Sequence, residues 1–215
     1  MLETGLLLVF FYGILHAFGP DHLTAIADFS IGKQRQRVLM ISAGFALGHG
    51  LSLYAFAWLL TQFNISEDIL AYGDMVAALV ILAMGVYLLF LAWTDRINLS
   101  VHKHGSKEHM HIWFGKKHHH RKPFLGWLSA SATVGVLMGM GGARGMLVSL
   151  SAFSHDTVSA WMIVSFTLGV AIIFILFGLL IAFLNERLMQ SKQWVKGGFT
   201  FFGVVSCALG VHLLI

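Results

Sequence analysis

Three histidines and one aspartate lie inside long apolar stretches of this 215-residue chain. His16, Asp21 and His22 fall in the first apolar stretch, and His49 falls in the second. Ionisable side chains are costly at membrane depth, so they are seldom kept there without a partner or a function. Imidazole nitrogens together with a carboxylate suit first-row divalent metal ions. These residue types in this setting predict a transition-metal site within a membrane protein.

The composition is typical of a polytopic membrane protein. Hydrophobic residues make up 57% of the chain and charged residues only 11%, whereas soluble domains hold about 25% charged residues. Six apolar stretches are each long enough to cross the hydrocarbon core, which takes about 20 residues. They lie near 4–27, 38–62, 70–94, 124–150, 158–184 and 195–215. We interpret the first as a retained helix rather than a signal peptide, because it lacks a basic start and an obvious cleavage site.

The basic residues predict the topology. Thirteen of the fourteen Lys and Arg residues lie in the first, third and fifth loops, and Arg144 within the fourth apolar stretch is the exception. Basic loops mark the cytoplasmic side, so both termini are expected outside. The positive charge is thereby explained by topology, and no nucleic-acid partner is expected. The lipid bilayer is the expected surrounding, by default that of the bacterial cytoplasmic membrane.

The chain shows signs of an internal repeat. Segments 13–26, 45–48 and 83–89 align in the same order with 135–148, 166–169 and 208–214. Each half holds three apolar stretches, so the second half would enter the membrane from the opposite side. We therefore expect an all-α membrane protein with six transmembrane helices in a 3+3 inverted-topology repeat. Residues 1–94 would form the first repeat, 95–123 a cytoplasmic loop and 124–215 the second repeat.

Gly19-Pro20 is predicted to break the first helix. Proline lacks an N–H and clashes with the carbonyl four residues back, here that of His16, and the residue before proline disfavours helical angles. On an ideal helix, His16, Asp21 and His22 would not share a face. A break would free the His16 carbonyl and let the three side chains converge.

His49 is expected to complete the site from the second helix. His49 and His16 lie at similar distances from opposite ends of their helices, so their depths in the membrane can match. Gly44, Gly48 and Gly50 lie around His49, and small residues let helix backbones approach closely. These glycines are expected to bring His49 against the break in the first helix.

Other residues and other interpretations stay open. An intramembrane histidine can be a hydrogen-bonded structural residue, and His with Asp can also form a proton relay. Arg144 needs an acidic partner, either Asp21 or Asp28, in a structural ion pair or in a pair that an incoming dication displaces. The secondary candidate ligands are Met138, Met140 and Asp28, although methionines in apolar helices usually serve packing. His155 and His212 are expected to be structural.

The third loop is rich in histidine. Its seven histidines are His102, His104, His109, His111, His118, His119 and His120. Such a tract is typical of metal binding, and a purely basic, lipid-facing loop is the alternative. We expect an auxiliary buffering or sensing loop without fixed ligand geometry.

Two motifs carry a family resemblance. HAFGPDH at 16–22 and FALGHGLSL at 45–53 resemble signatures of the nickel/cobalt transporter family (NiCoT) and its smaller relatives, the high-affinity nickel-transport or urease-accessory membrane proteins. The resemblance is specific over about residues 13–53. It implies that His16, Asp21, His22 and His49 are ligands or gate residues. The chain departs from larger members, which commonly have eight helices, and GMGGARGMLVSL stands in place of an acidic second-half motif.

The sequence thus predicts a secondary transporter for divalent nickel and/or cobalt. The ion, as transported substrate, would bind near the bilayer midplane, and alternating access would release it. No nucleophile–base pair or cofactor motif indicates an enzyme or a cofactor. The alternatives are a proton-coupled exporter of a small anion using Arg144, and a metal-sensing or delivery accessory protein without transport. A cytoplasmic metal chaperone and a second copy of the chain are the candidate protein partners.

Overall fold

The computed structural model describes residues 2–63, 67–94, 97–104, 107–114, 124–153, 159–188 and 191–215. Within these ranges the chain forms seven helices and a two-stranded hairpin. In chain order they are α1 (Leu2–Ala17), α2 (Pro20–Ser30), α3 (Arg35–Gln62), α4 (Glu67–Trp93), β1 (Ile97–His104), β2 (Lys107–Phe114), α5 (Phe124–Phe153), α6 (Ala160–Leu188) and α7 (Lys192–Leu214). All the long elements are helices, as the apolar stretches predict.

Several helices are long and apolar enough to cross a membrane. Four such spans lie in the described residues, Arg35–Phe56, Ala71–Trp93, Ala160–Leu188 and Lys192–Leu214, and the bent pair of α1 and α2 makes a fifth if it counts as one span. In this coarser form the prediction of a helical membrane protein is confirmed. The described apolar part of α5 is the shorter Leu128–Gly141, so a sixth span stays a prediction.

Large apolar side chains cover the outside of the helices. On α6, Leu168, Ile172, Leu176, Leu180 and Phe183 form an exposed stripe at helical spacing. Soluble monomers rarely expose a continuous apolar surface of this kind. An apolar stripe of this kind is what contact with lipid chains requires.

The core lies where α3 meets α5 and α6. α1 packs on α6, while α4 packs on both α5 and α7. The main buried cluster includes Phe45 of α3, Met138 of α5, and Phe166 and Phe174 of α6. Aromatic rings therefore fill the space between the helix that carries His49 and its neighbours.

Close helix contacts occur in reciprocal pairs. A Cβ at Gly13 would overlap the Phe166 carbonyl, and a Cβ at Gly135 would overlap the Phe45 carbonyl. Gly135 follows Gly13 by 122 residues and Phe166 follows Phe45 by 121, so each contact maps onto the other. The same offsets relate Gly48–Ala132 to Gly169–Phe10 and Gly44–Leu128 to Ser165–Leu6. An offset of 125, that of the third aligned segment, relates Gly85–Cys207 to Gly210–Leu82.

Asn185 of α6 holds the turn between α2 and α3. Gly32 takes a left-handed φ of 69°, which glycine adopts without steric cost. Its N–H donates to Asn185 Oδ1 at 3.0 Å, and Asn185 Nδ2 donates to the carbonyls of Ser30 at 2.8 Å and Lys33 at 3.0 Å. One buried side chain thus satisfies three backbone groups and fixes the end of α2 against α6.

The histidine-rich stretch differs from the predicted loop. Two antiparallel strands, β1 and β2, pair from Ile97 with Phe114 to His104 with Lys107. The apolar residues that alternate with the histidines in this stretch have the period of two that is typical of a strand, so the expectation of a loop without fixed geometry is wrong for these two segments. His118, His119 and His120 lie outside the described residues.

Candidate metal centre

The first helix is broken where the sequence predicts. α1 ends at Ala17, α2 begins at Pro20, and the two helices are bent by 60°. Gly19 takes φ −50° and ψ 128° as the residue before α2, and its carbonyl accepts from the Leu23 N–H at 3.2 Å. The expectation of a free His16 carbonyl is wrong, because the Gly19 N–H donates to it at 3.0 Å in a tight turn.

The break brings three imidazoles together. His16 from the end of α1, His22 from the first turns of α2 and His49 from the middle of α3 each offer one ring nitrogen, and these atoms all lie within 4.8 Å of one another. His16 Nε2 and His49 Nε2 are 3.3 Å apart. The ring centroid of His22 lies 4.8 Å from that of His16 and 4.7 Å from that of His49. Three of the four predicted residues thus form one group of potential ligands.

The three rings are removed from solvent and poorly satisfied. His22 is 3% exposed and His49 is 0% exposed, while His16 is partly buried. Within the part of the chain that the structure describes, Nε2 of His22 and Nδ1 of His49 have no hydrogen-bond partner. Buried polar atoms are normally paired, and an exception calls for an unseen ion or a special role. The orphan nitrogens are therefore available to a ligand.

Phenylalanines wall the group. Phe174 lies 5.8 Å from both His22 and His49 between ring centroids, and Phe166 lies 5.3 Å from His16. Phe45 stacks on His49 at 6.0 Å. The sequence analysis did not single out these rings, and their only signal is that Phe45 and Phe166 occupy matched places in the suspected repeat.

Asp21 reaches the group through His22. Its Oδ1 lies 3.0 Å from His22 Nδ1, and its side chain is 26% exposed. A carboxylate beside the second ring nitrogen orients a metal-binding imidazole and raises its basicity. A Cβ at Gly19 would lie 2.6 Å from both Asp21 Oδ1 and His22 Nδ1, so only glycine leaves room for this pair.

The glycines around His49 have a different role from the predicted one. Gly44 and Gly48 face Leu128 and Ala132 of α5, and Gly50 faces Thr167 of α6. They therefore do not bring His49 against the break, and that prediction is wrong. Gly44 and Gly48 instead let α5 approach closely, and Gly50 does the same for α6.

On the other side of this contact, α5 supplies glycines of its own. A Cβ at Gly135 would lie 2.9 Å from the backbone nitrogen of His49, and a Cβ at Gly139 would lie 2.8 Å from the backbone carbonyl oxygen of His49. The backbone of α5 thus fixes the position of His49.

The secondary candidates lie apart from the three imidazoles. Met138 is 1% exposed and packs in the hydrophobic core. Asp28 is buried in the last turn of α2 and accepts a hydrogen bond from Ser206 Oγ at 2.6 Å. Arg144 belongs to α5, but its side chain lies outside what the structure describes, as does His155 altogether, so the predicted pairing with Asp21 or Asp28 stays a prediction. His212 is exposed near the end of α7.

Comparison with known proteins adds little to this geometry. No protein-family model matches the chain, and no solved structure matches it. The chain is 34% identical over 80 residues to a plant protein of Arabidopsis thaliana, chloroplast protein FOR GROWTH AND FERTILITY 2. The match covers 35% of this chain and 22% of the plant protein. The resemblance to nickel/cobalt transporters therefore stays an expectation from the sequence.

Proposed function

We propose that this chain is a secondary membrane transporter for divalent nickel and/or cobalt. The observation that carries the proposal is the group of three imidazoles, two of them with unpartnered buried nitrogens, at a break in a membrane helix. Neutral imidazole suits late first-row divalent ions. The imidazoles of His16, His22 and His49 would replace part of the water shell of the ion, and Asp21 would hold His22 in place.

The setting favours transport over a structural role for the histidines. Structural histidines satisfy their ring nitrogens by hydrogen bonds, whereas Nε2 of His22 and Nδ1 of His49 find no partner among the described residues. His49 lies 14 residues into the 28-residue helix α3, about 21 Å from its start at 1.5 Å per residue. That is mid-span, where transporters place their substrates on broken helices.

The reciprocal glycine contacts support a 3+3 repeat with six spans as part of this proposal. Each mapped pair joins a residue of one half to a residue of the other, as an internal two-fold axis requires. In an inverted repeat the two halves can rock against each other around a fixed site. α1 and α2 would form the first span and α5 the fourth.

The proposed orientation follows from the basic loops and from nothing else. Both termini would lie outside, and the hairpin of β1 and β2 would lie in the cytoplasm, in a bacterial cytoplasmic membrane. There a cytoplasmic metal chaperone can reach the hairpin.

Flux through proteoliposomes tests the proposal. We would compare the wild type with a His16→Ala/His22→Ala double variant and with His212→Ala, whose imidazole is exposed and remote. Nickel, cobalt, zinc and manganese would each be offered under an imposed pH gradient. We expect nickel or cobalt flux in the wild type and in His212→Ala, and none in the double variant.

Two other outcomes would redirect the assignment. A folded wild type that moves no metal but moves a small anion, with dependence on Arg144, would favour the anion exporter. A protein that binds metal without any flux would favour the accessory role.

A further inference from the structure

The hairpin sorts its histidines onto one face. In an antiparallel pair, directly opposed residues lie on the same face, and successive residues alternate between faces. His102 pairs with His109, and Ser100 pairs with His111. His104 pairs with Lys107, two residues along β1 from His102. The four histidines of the two strands therefore share a single face.

The opposite face has another character. The residues that alternate with the histidines are Ile97, Leu99, Val101 and Lys103 on β1 and Glu108, Met110, Ile112 and Phe114 on β2. Six of these eight are apolar, so the hairpin has one apolar face and one histidine face. An unstructured buffering tract has no reason to alternate in this way.

The sequence by itself predicts the same register of the two strands. The pattern HKHGSKEHMH at 102–111 places one His-x-His on each side of Gly105-Ser106. A glycine-serine pair between alternating runs is a signal for a two-residue hairpin loop. Such a loop opposes His104 to Lys107 and His102 to His109, as the strands do.

We infer that this face of the hairpin is a second metal site, which takes a divalent late transition-metal ion with imidazole ligands. Opposed residues of a strand pair have Cβ atoms about 4.5–5.5 Å apart, and diagonal neighbours lie about 7–8 Å apart. Imidazole nitrogens bind such ions at about 2.0–2.1 Å, so residues on adjacent rungs can share one ion. His102 and His109 form the central rung, and His104 and His111 occupy the flanking rungs.

The inference stands apart from transport, since it needs no ion at the membrane centre. It also separates the histidines of the third loop into two groups. His102, His104, His109 and His111 belong to the face, whereas His118, His119 and His120 follow the hairpin in sequence and serve as matched controls.

The test uses the full chain in detergent with His16, His22 and His49 replaced by alanine, so that the membrane site is absent. Titration with Ni²⁺ or Co²⁺ alone, followed by calorimetry and by the Co²⁺ visible spectrum, should show one ion per chain. His102→Ala/His109→Ala should weaken binding by at least the 10–100-fold typical of losing groups that support a metal site. His118→Ala/His119→Ala/His120→Ala should change affinity little.

A composition-matched variant makes the test sharper. His102→Lys with Lys103→His keeps every residue type but moves one imidazole to the apolar face. We expect it to weaken binding, as His102→Ala/His109→Ala does. Unchanged affinity in this exchange, or an equal loss in the 118–120 variant, would overturn the inference and leave an unstructured buffering tract.

If the triple-alanine background fails to fold, stoichiometry in the otherwise wild-type chain replaces it. The His102→Ala/His109→Ala variant should then bind one ion fewer than the wild type. An unchanged count would overturn the inference, and flux by that variant is a separate result that bears only on transport.

Discussion

At the scale of single residues, the three imidazoles differ in what supports them. Asp21 lies against Nδ1 of His22, while no carboxylate of the described residues lies beside His49, whose ring packs against Phe45, Phe174 and the His22 ring. His16 contacts His49 through Nε2. A metal ion would therefore gain most of its fixed geometry from His22, and His49 would supply the ligand that is fully withdrawn from water.

Removal of His49 tests the centre most directly. His49→Ala should abolish measurable nickel or cobalt binding at the membrane site, because no other described side chain can replace its nitrogen there. His212→Ala should bind as the wild type does. Isothermal titration of both variants, each with the hairpin histidines removed, measures this, and full binding by His49→Ala would exclude the centre.

Asp21→Asn should weaken metal binding by about 10–100-fold, as changes in groups that orient a ligand do. The amide can still contact His22 Nδ1 but loses the negative charge. The same titration measures it. An effect as large as that of His49→Ala would instead make Asp21 a direct ligand.

Metal affinity should also fall as the pH falls. Protons compete with the metal for imidazole nitrogens, since only the neutral ring coordinates. Binding isotherms recorded at successively lower pH, from about pH 8 downward, should show a steady loss toward the acid end. Binding that strengthens toward low pH would argue for a carboxylate or anion site.

Gly19→Ala probes the space beside the site. The backbone angles of Gly19 suit alanine, but the new methyl would press on Asp21 and His22. Metal affinity should drop while the protein stays folded. Gly5→Ala on α1 is the control, because a Cβ there meets nothing within 4 Å; equal behaviour of the two variants would contradict the prediction.

Residue types and spacing alone predict the three candidate ligands and the helix break. Proline chemistry fixes where the helix must stop, and ionisable residues stand out in an apolar chain. The phenylalanine walls could not be predicted, because the chain has 18 phenylalanines and only tertiary packing selects three of them. The role of Gly44, Gly48 and Gly50 was misjudged for the same reason: sequence marks a small residue but not the helix that approaches it.

At the scale of elements, α2 is a short helix held at both ends. Its first residues belong to the candidate metal centre, and its last residues meet the turn that Asn185 binds. Asp28 also ties it to Ser206 of α7. The helix that carries two site residues is thereby anchored to α6 and α7 in the second half of the chain.

Asn185→Ala should destabilise the protein by about 1–3 kcal/mol or more, because it leaves buried backbone groups at the turn without partners. Leu188→Ala, at an exposed position on the same helix, should have little effect. Denaturation in detergent micelles followed by circular dichroism compares the two. Equal stability of both variants would show that the clamp is dispensable.

The elements themselves were predicted unevenly. Long apolar runs locate the membrane helices, because little else in a protein sustains them. The strands of the hairpin were missed, since histidine content drew attention away from the alternation. The repeat rests on weak sequence matches, and its strongest support, the reciprocal contacts, exists only in the folded chain.

At the scale of the whole molecule, the two halves meet through matched glycines. Gly13→Ala and Gly135→Ala should each force a helix pair apart, and overpacking of this kind costs about 1–3 kcal/mol. If the halves are equivalent, the two variants should lose similar thermal stability. Gly197→Ala, where a Cβ has open space, is the control, and a large difference between the first two would argue against the repeat.

Labelling tests the proposed topology. In a Cys207→Ser background, Ile215→Cys should react with a membrane-impermeant maleimide added to intact cells, because the C-terminus is expected outside. Ser191→Cys, exposed between α6 and α7, should react only after permeabilisation. The reverse pattern would invert the orientation.

The unpartnered nitrogens of His22 and His49 also bear on how long the protein lasts. A ligand that binds only the folded form adds about 2.7 kcal/mol of stability at 100 times its dissociation constant. Differences of 1–2 kcal/mol can change a protein's abundance several-fold in cells, through proteases that act on the unfolded fraction. If the three imidazoles bind a metal ion as proposed, a cell starved of that ion would clear this protein faster, and the steady-state level of the protein would rise and fall with metal supply without any change in gene expression.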